Sequence, residues 1–82
     1  MYYVYMVQCA DETLYTGIAK DLKRRITEHN ESEKGAKYTR ARRPVKLVYS
    51  EEYVDRSTAS KREYEIKKKM SRVEKLKLIS SC

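Results

Sequence analysis

Three residues break the amphipathic pattern of the helices that carry them, and all three belong to the side-chain types that do chemistry. The segment after Asp21, a natural N-cap, reads as a helix to about His29, with a core-facing stripe of Leu22, Arg25, Ile26 and His29. A second helix, capped by Ser57 and running to about Lys69, turns Ala59, Glu63, Ile66 and Met70 inward. A guanidinium, an imidazole and a carboxylate on inward stripes carry information that another leucine would not. Each also has an ordinary explanation. Arg25 can carry its head past apolar neighbours to water. His29 can interact with a helix dipole, and Glu63 can pair with Lys67 one turn on. Three such exceptions, on two helices that pack on one hairpin, point to a site. Their chemistry is complementary: a guanidinium grips anionic oxygens in pairs, an imidazole relays protons near neutral pH, and a carboxylate ligates a hard cation such as Mg²⁺.

The elements that must position them follow from the pattern of the chain. Residues 2–8, YYVYMVQ, are β-branched and aromatic, which predicts a strand, and their near-continuous apolar character predicts a central one covered on both faces. Residues 10–13 are turn-like, and 14–18, LYTGI, make a second strand, so the two form a hairpin. Gly17 inside that strand marks a bulge or a close backbone approach. After a polar loop at 30–44, containing Gly35 and Pro44, a third strand is expected at 45–50, with Val45, Leu47 and Tyr49 alternating against Lys46, Val48 and Ser50. Ser71 and Glu74 make a capping box for a last short helix packed by Val73, Leu76 and Ile79 or Ser80. The order ββαβαα describes an α+β domain over residues 1–82, a small three-stranded antiparallel sheet flanked by helices.

Composition narrows the partners. The chain has 19 Lys and Arg against 12 Asp and Glu, a formal charge of +7, which favours a polyanion or serves solubility alone. All eight aromatic residues are tyrosines, each with a polar tip that needs water or a partner. The loop GAKYTRARRP at 35–44 interleaves Lys37, Arg40, Arg42 and Arg43 with Tyr38 and Thr39, a composition that suits a phosphate backbone with base stacking, or a solvated basic loop. Cys9 and Cys82 stand apart from any Cys or His cluster, so no zinc site is expected. No signal-peptide pattern and no membrane-length apolar run occur in the sequence, and a cytoplasmic protein with reduced thiols is expected.

The two halves YVY at 3–5 and YTG at 15–17, the helix KDLKRRITEHN at 20–30 with its R-x-x-x-H positions, and the downstream segment KREYEIK at 61–67 together resemble the GIY-YIG nuclease family. The resemblance covers nearly the whole chain and keeps the order of elements. LYTGIAKDLKRRITEHN and KYTRARRPV are similar to the small, single-domain, mostly uncharacterised bacterial branch of that family. The chain departs from the motif in lacking the Gly and Ile of the first half and in carrying Thr for Ile in the second. The family's later polar residue, often Asn, has no assigned counterpart.

The resemblance implies an endonuclease that hydrolyses DNA phosphodiester bonds with a single Mg²⁺ or Mn²⁺ ion on Glu63. It also implies catalytic roles for Tyr5, Tyr15, Arg25, His29 and Glu63, with either tyrosine able to serve as the base, Tyr5 the better candidate for it and Tyr15 for orienting groups, and with Gly17 letting the backbone pass close to the site. Larger relatives take sequence specificity from a second domain; without one in the sequence, weak or structure-specific action is expected, on branched or single-stranded DNA in repair or recombination. Two other classes remain open: a non-catalytic nucleic-acid-binding module that keeps the fold, and a basic partner in a larger repair or ribosomal assembly.

Overall fold

The computed structural model describes residues 1–31 and 37–81, so Gly35 and Ala36 of the basic loop, and Cys82, lie outside the described residues. The unbroken β-formers at the start of the chain become β1 (Tyr2–Gln8), the middle strand of a three-stranded antiparallel sheet of order β2-β1-β3. β2 (Leu14–Ala19) returns beside it after a tight turn. In that turn the Asp11 carboxylate accepts from the Thr13 amide at 3.2 Å and hydroxyl at 2.6 Å, and Glu12 takes a left-handed φ of 68°. The hairpin register sets Tyr5 opposite Gly17 and Val7 opposite Tyr15.

β3 (Lys46–Tyr53) runs three residues beyond the expected 45–50 segment and contains a bulge. Met6 pairs with Tyr49 but Val7 pairs with Leu47, so Val48 is an extra residue. The bulge corrects the expected alternation: Val48 packs with Tyr49 against the core, and Leu47 is left 38% exposed.

The two faces of β1 are covered by different helices, as its continuous apolar run requires. α1 (Leu22–Glu31) begins on Asp21, whose carboxylate accepts from the Arg24 amide at 3.1 Å. It packs Leu22 and Ile26 on Tyr5, Val7, Cys9 and Val45. Its last turn is stapled to the chain ahead of β3, because the Asn30 amide group donates to the Val45 carbonyl at 3.0 Å and accepts from the Val45 amide at 2.6 Å. The expected loop includes a short helical turn, α2 (Lys37–Arg40).

The other face takes α3 (Arg56–Tyr64), a π-helical turn at Glu65–Lys69, and α4 (Arg72–Ser80). Ala59 and Ile66 are buried there against Val4 and Met6, with Met70, Leu78 and Ile79 around them. The cap of α3 is Asp55 rather than Ser57: its carboxylate accepts from the Thr58 amide at 2.8 Å, which starts the helix earlier. α4 opens on the expected capping box of Ser71 and Glu74. Its packing differs from expectation. Val73 and Leu76 are 62% and 41% exposed, because the extended residue Met70 resets the helix direction and turns Leu78 inward beside the expected Ile79.

One carboxylate ties β3 to α3. Glu51 receives both prongs of the Arg62 guanidinium, at 2.9 and 3.0 Å, together with the hydroxyls of Tyr49 and Tyr53. Burial alone would raise the Glu51 carboxyl, but these donors hold it below the usual carboxylate range. Among the described residues no helix is long and apolar enough to cross a membrane.

Candidate active site

The site is built around the α1-facing side of the hairpin. Tyr5 leaves the central strand there, and only a glycine opposite leaves room for its ring. A Cβ at position 17 would stand 2.5 Å from the Tyr5 hydroxyl oxygen and 2.7 Å from Cζ. The close approach expected at Gly17 is therefore made by the Tyr5 phenol. The phenol runs over Gly17 to His29, and its oxygen lies 2.6 Å from Nε2. Nδ1 of the same ring lies 2.7 Å from Oγ1 of Thr39. Tyr5, His29 and Thr39 are all fully or almost fully buried, forming a buried hydroxyl–imidazole–hydroxyl series.

Burial is the main influence on both titrating members. It pushes Tyr5 up to about 12, opposed by a hydrogen bond and positive charge from Arg25, while the charges of Tyr15 and Glu63 add to the rise. It pushes His29 down to about 4, helped by the positive charges of Arg25 and Arg43 and opposed by Glu28. At neutral pH the phenol is protonated and the imidazole neutral.

Arg25 and Glu63 thus act on the same phenol from different helices, α1 and α3. The Arg25 guanidinium also pairs with Glu28 at 3.1 Å. Glu63 is half-buried and, among the described residues, has no hydrogen-bond or ion-pair partner. The surface pair with Lys67 does not form, and the π turn explains it. A regular α-helix would set residues 63 and 67 side by side. The wider turn that begins at Glu65 carries Lys67 away, and its ammonium lies 5.6 Å from the centre of the Tyr15 ring. Tyr15 packs edge-on to His29, with centroids 5.4 Å apart, and stacks on Tyr38 at 5.9 Å.

The basic loop splits into two groups. Lys37, Tyr38 and Arg40 are exposed. Thr39 is buried on His29, which removes it from any surface contact with a backbone. Arg42 pairs with Asp11 at 3.0 Å, donates to the Tyr38 carbonyl at 2.9 Å and covers the Tyr38 ring at 4.0 Å. Arg43 donates to the carbonyls of His29 and Glu28 at the end of α1. The expectation of six ligand-facing residues at 37–40, 42 and 43 is therefore narrowed at Thr39, which is buried, while Arg42 and Arg43 already hold protein acceptors, the latter at the unsatisfied carbonyls of a helix end. Sequence reading missed Lys67 and Lys75, which line an open groove of about 350 Å³ with Leu14, Tyr15, Thr16 and Tyr38 beside the site. The lysine run at 67–69 was the only available signal.

Among the described residues no three His, Cys, Asp or Glu side chains gather as a metal cage. The side chain whose chemistry fits a hard cation is Glu63, a carboxylate without a partner among the described residues. Mg²⁺ needs no more than one or two carboxylates when water and phosphate complete its shell.

The sequence profile of the GIY-YIG catalytic domain matches residues 1–77. The chain belongs to the GIY-YIG family. GIY-YIG domains are nuclease domains, so a nucleic acid is the substrate class of the fold. A UPF0213 protein of Staphylococcus saprophyticus is 58% identical over 79 residues, 96% of this chain and 94% of that protein. A UPF0213 protein of Desulfotalea psychrophila is 70% identical over 66 residues, and this match spans 80% of this chain but only 60% of that protein. Among solved structures, the NMR structure of a UPF0213 protein from Bacillus halodurans is 44% identical, with a TM-score of 0.62 over 99% of this chain and 85% of that one. An E. faecalis protein solved by NMR is 39% identical, with a TM-score of 0.64 over 98% of this chain and 83% of that one. In this GIY-YIG chain the two motif strands are β1 and β2, and their tyrosines Tyr5 and Tyr15 both touch His29.

Proposed function

We propose that the chain is a metal-dependent endonuclease that hydrolyses DNA phosphodiester bonds, acting on branched or single-stranded DNA in repair or recombination within the cytoplasm. The observation that carries this reading is the half-buried Glu63 carboxylate, unpartnered among the described residues, acting on the same buried phenol as Arg25. A purely structural role would give such a carboxylate a protein partner, as Glu51 has.

Glu63 would hold a single Mg²⁺ or Mn²⁺ ion, which when bound offsets phosphate charge and acidifies a coordinated water. Arg25 binds a non-bridging oxygen of the scissile phosphate and stabilises the charge that builds up in the transition state. Tyr5 takes the proton of the attacking water and passes its own to His29 Nε2, its hydrogen-bond partner. Arg25, already a donor to the phenol, lowers the cost of the phenolate. Tyr15 orients the His29 ring from its edge. Lys67 and Lys75 in the groove, with exposed Lys37, Tyr38 and Arg40, supply the contacts to the backbone and bases that the loop alone was expected to make.

The test is cleavage of branched, single-stranded and duplex DNA with Mg²⁺ or Mn²⁺ by the wild type and Glu63→Gln. The variant keeps size and helix propensity, so it should lose cleavage and retain or tighten DNA binding, because a negative charge beside the phosphates is gone. Cleavage that persists in Glu63→Gln overturns the assignment. A wild type that cuts none of these substrates, yet binds them as well as the variant does, replaces it with the binding-module reading.

A further inference from the structure

The buried imidazole has a hydroxyl at each end, and the two ends are not equivalent. A neutral imidazole donates from one nitrogen and accepts at the other, so one hydroxyl gives it a proton and the other receives one. Arg25 decides which. A guanidinium has no acceptor, so where it meets the Tyr5 oxygen the phenol can only accept from it. That leaves the Tyr5 O–H free to donate to its geometric neighbour, His29 Nε2, at 2.6 Å. The imidazole proton therefore sits on Nδ1 and is donated to Thr39 Oγ1 at 2.7 Å. A histidine side chain in water prefers its proton on Nε2, so this is the less favoured tautomer and something must hold it.

We propose that Thr39 is a positioning residue that fixes His29 in the Nδ1–H tautomer, so that Nε2 faces the Tyr5 hydroxyl as a proton acceptor. The role parallels the third member of a nucleophile–base–orienter series, here with a hydroxyl in place of a carboxylate. A neutral orienter suits this pocket, where the positive charges of Arg25 and Arg43 and the negative charge of Glu28 already face the ring. It also explains why a threonine in a stretch of surface cations is fully buried. The consequence for rate rests on the nuclease reading; the tautomer does not.

His29 is the only histidine in the chain, so long-range proton–nitrogen NMR on histidine-labelled protein reports one ring. In the wild type Nδ1 should be pyrrole-like and Nε2 pyridine-like, and Thr39→Ser should keep that pattern. Thr39→Val, which keeps the shape and removes the acceptor, should move the proton to Nε2. In single-turnover cleavage Thr39→Val should be slower by about 10²-fold with DNA affinity unchanged, and Thr39→Ser should restore the rate. A wild-type ring protonated on Nε2 overturns the proposal, and that measurement needs no variant to fold. An unchanged tautomer in Thr39→Val, or in Thr39→Ala should the valine variant not fold, overturns it equally. If the tautomer follows Thr39 and no substrate is cut, the tautomer assignment stands and the nuclease reading fails.

Discussion

Replacing Gly17 by alanine would place a methyl group where the Tyr5 hydroxyl now lies. The new Cβ would stand 2.5 Å from Oη and 2.7 Å from Cζ, whereas ordinary contact begins at 3.4 Å, so the ring must withdraw by about 0.9 Å. Tyr5 is almost fully buried between the sheet and α1, and a ring that withdraws pushes on Val7, Leu22 and Ile26. Overpacking of that kind costs about 1–3 kcal/mol. A displacement of this size also stretches the 2.6 Å bond to His29 beyond hydrogen-bonding distance, leaving a buried acceptor unmatched at a further cost of about 1 kcal/mol or more. Alanine is intrinsically better than glycine in a strand by roughly 0.5–1 kcal/mol, which offsets part of the loss. The net expectation is about 2–3 kcal/mol of destabilisation, which for a domain of this size lowers Tm by about 10 °C or more. Urea denaturation of Gly17→Ala, Tyr5→Leu and the double variant checks it. Leucine lacks Cζ and Oη, so the alanine should cost little in that background. If Gly17→Ala is equally damaging with and without the phenol, the cradle argument is refuted.

The same region has a pH signature. His29 titrates at about 4 in the folded chain against an ordinary 6.5, so the unfolded chain takes up its proton first. Its contribution is full above about pH 6.5 and is lost as pH falls towards 4. The loss amounts to up to about 3 kcal/mol and should disappear in His29→Gln when denaturation is followed across that window. His29 is the one histidine in the chain, so the upper part of that window, above the range of ordinary carboxyls, reports on it alone among the side chains of ordinary pKa. In the groove, Lys67→Ala with Lys75→Ala should reduce the slope of log binding constant against log salt by about 2, measured by fluorescence anisotropy; an unchanged slope would make them a solvated face. Arg43→Ala should instead leave that slope nearly unchanged and lower stability by about 1–2 kcal/mol, since it removes donors from the end of α1; a changed slope with unchanged stability would reverse the assignment.

Much of the architecture was legible because it depends on local pattern. The apolar run of β1 declares a strand covered on both sides, and the caps at Asp21 and Ser71 declare helix starts. The misplaced polarity of Arg25, His29 and Glu63 marked the three side chains that act on or touch Tyr5. What escaped depends on partners remote in sequence or on a one-residue change of hydrogen-bond register. The bulge at Val48 and the π turn at Glu65–Lys69 each insert a residue without altering composition, yet they move Leu47 outward and Lys67 away from Glu63. Thr39, Arg42 and Arg43 read as part of a solvated basic stretch. Their inward partners, His29, Asp11 and the carbonyls of α1, lie at least ten residues away and leave no periodic trace.

The grip of Arg62 on Glu51 sets an angular tolerance for the whole site. Arg62 and Glu63 are neighbours on α3, separated by about 100° around its axis, so pinning one fixes the roll of the other. A carboxylate stands about 6 Å from its helix axis, and a roll of about 10° would sweep it through about 1 Å, an error large enough to cost a positioned reaction about two orders of magnitude. The Tyr49–Glu51–Tyr53 side of the knot that holds Arg62 lies on β3, at the far edge of the sheet from β2. It therefore works as a torsional stop. A lesion at Glu51 would mis-aim Glu63 while Tyr5, Arg25 and His29 all stay unchanged, and on the nuclease reading it would register as lost cleavage in a protein whose site side chains are all intact.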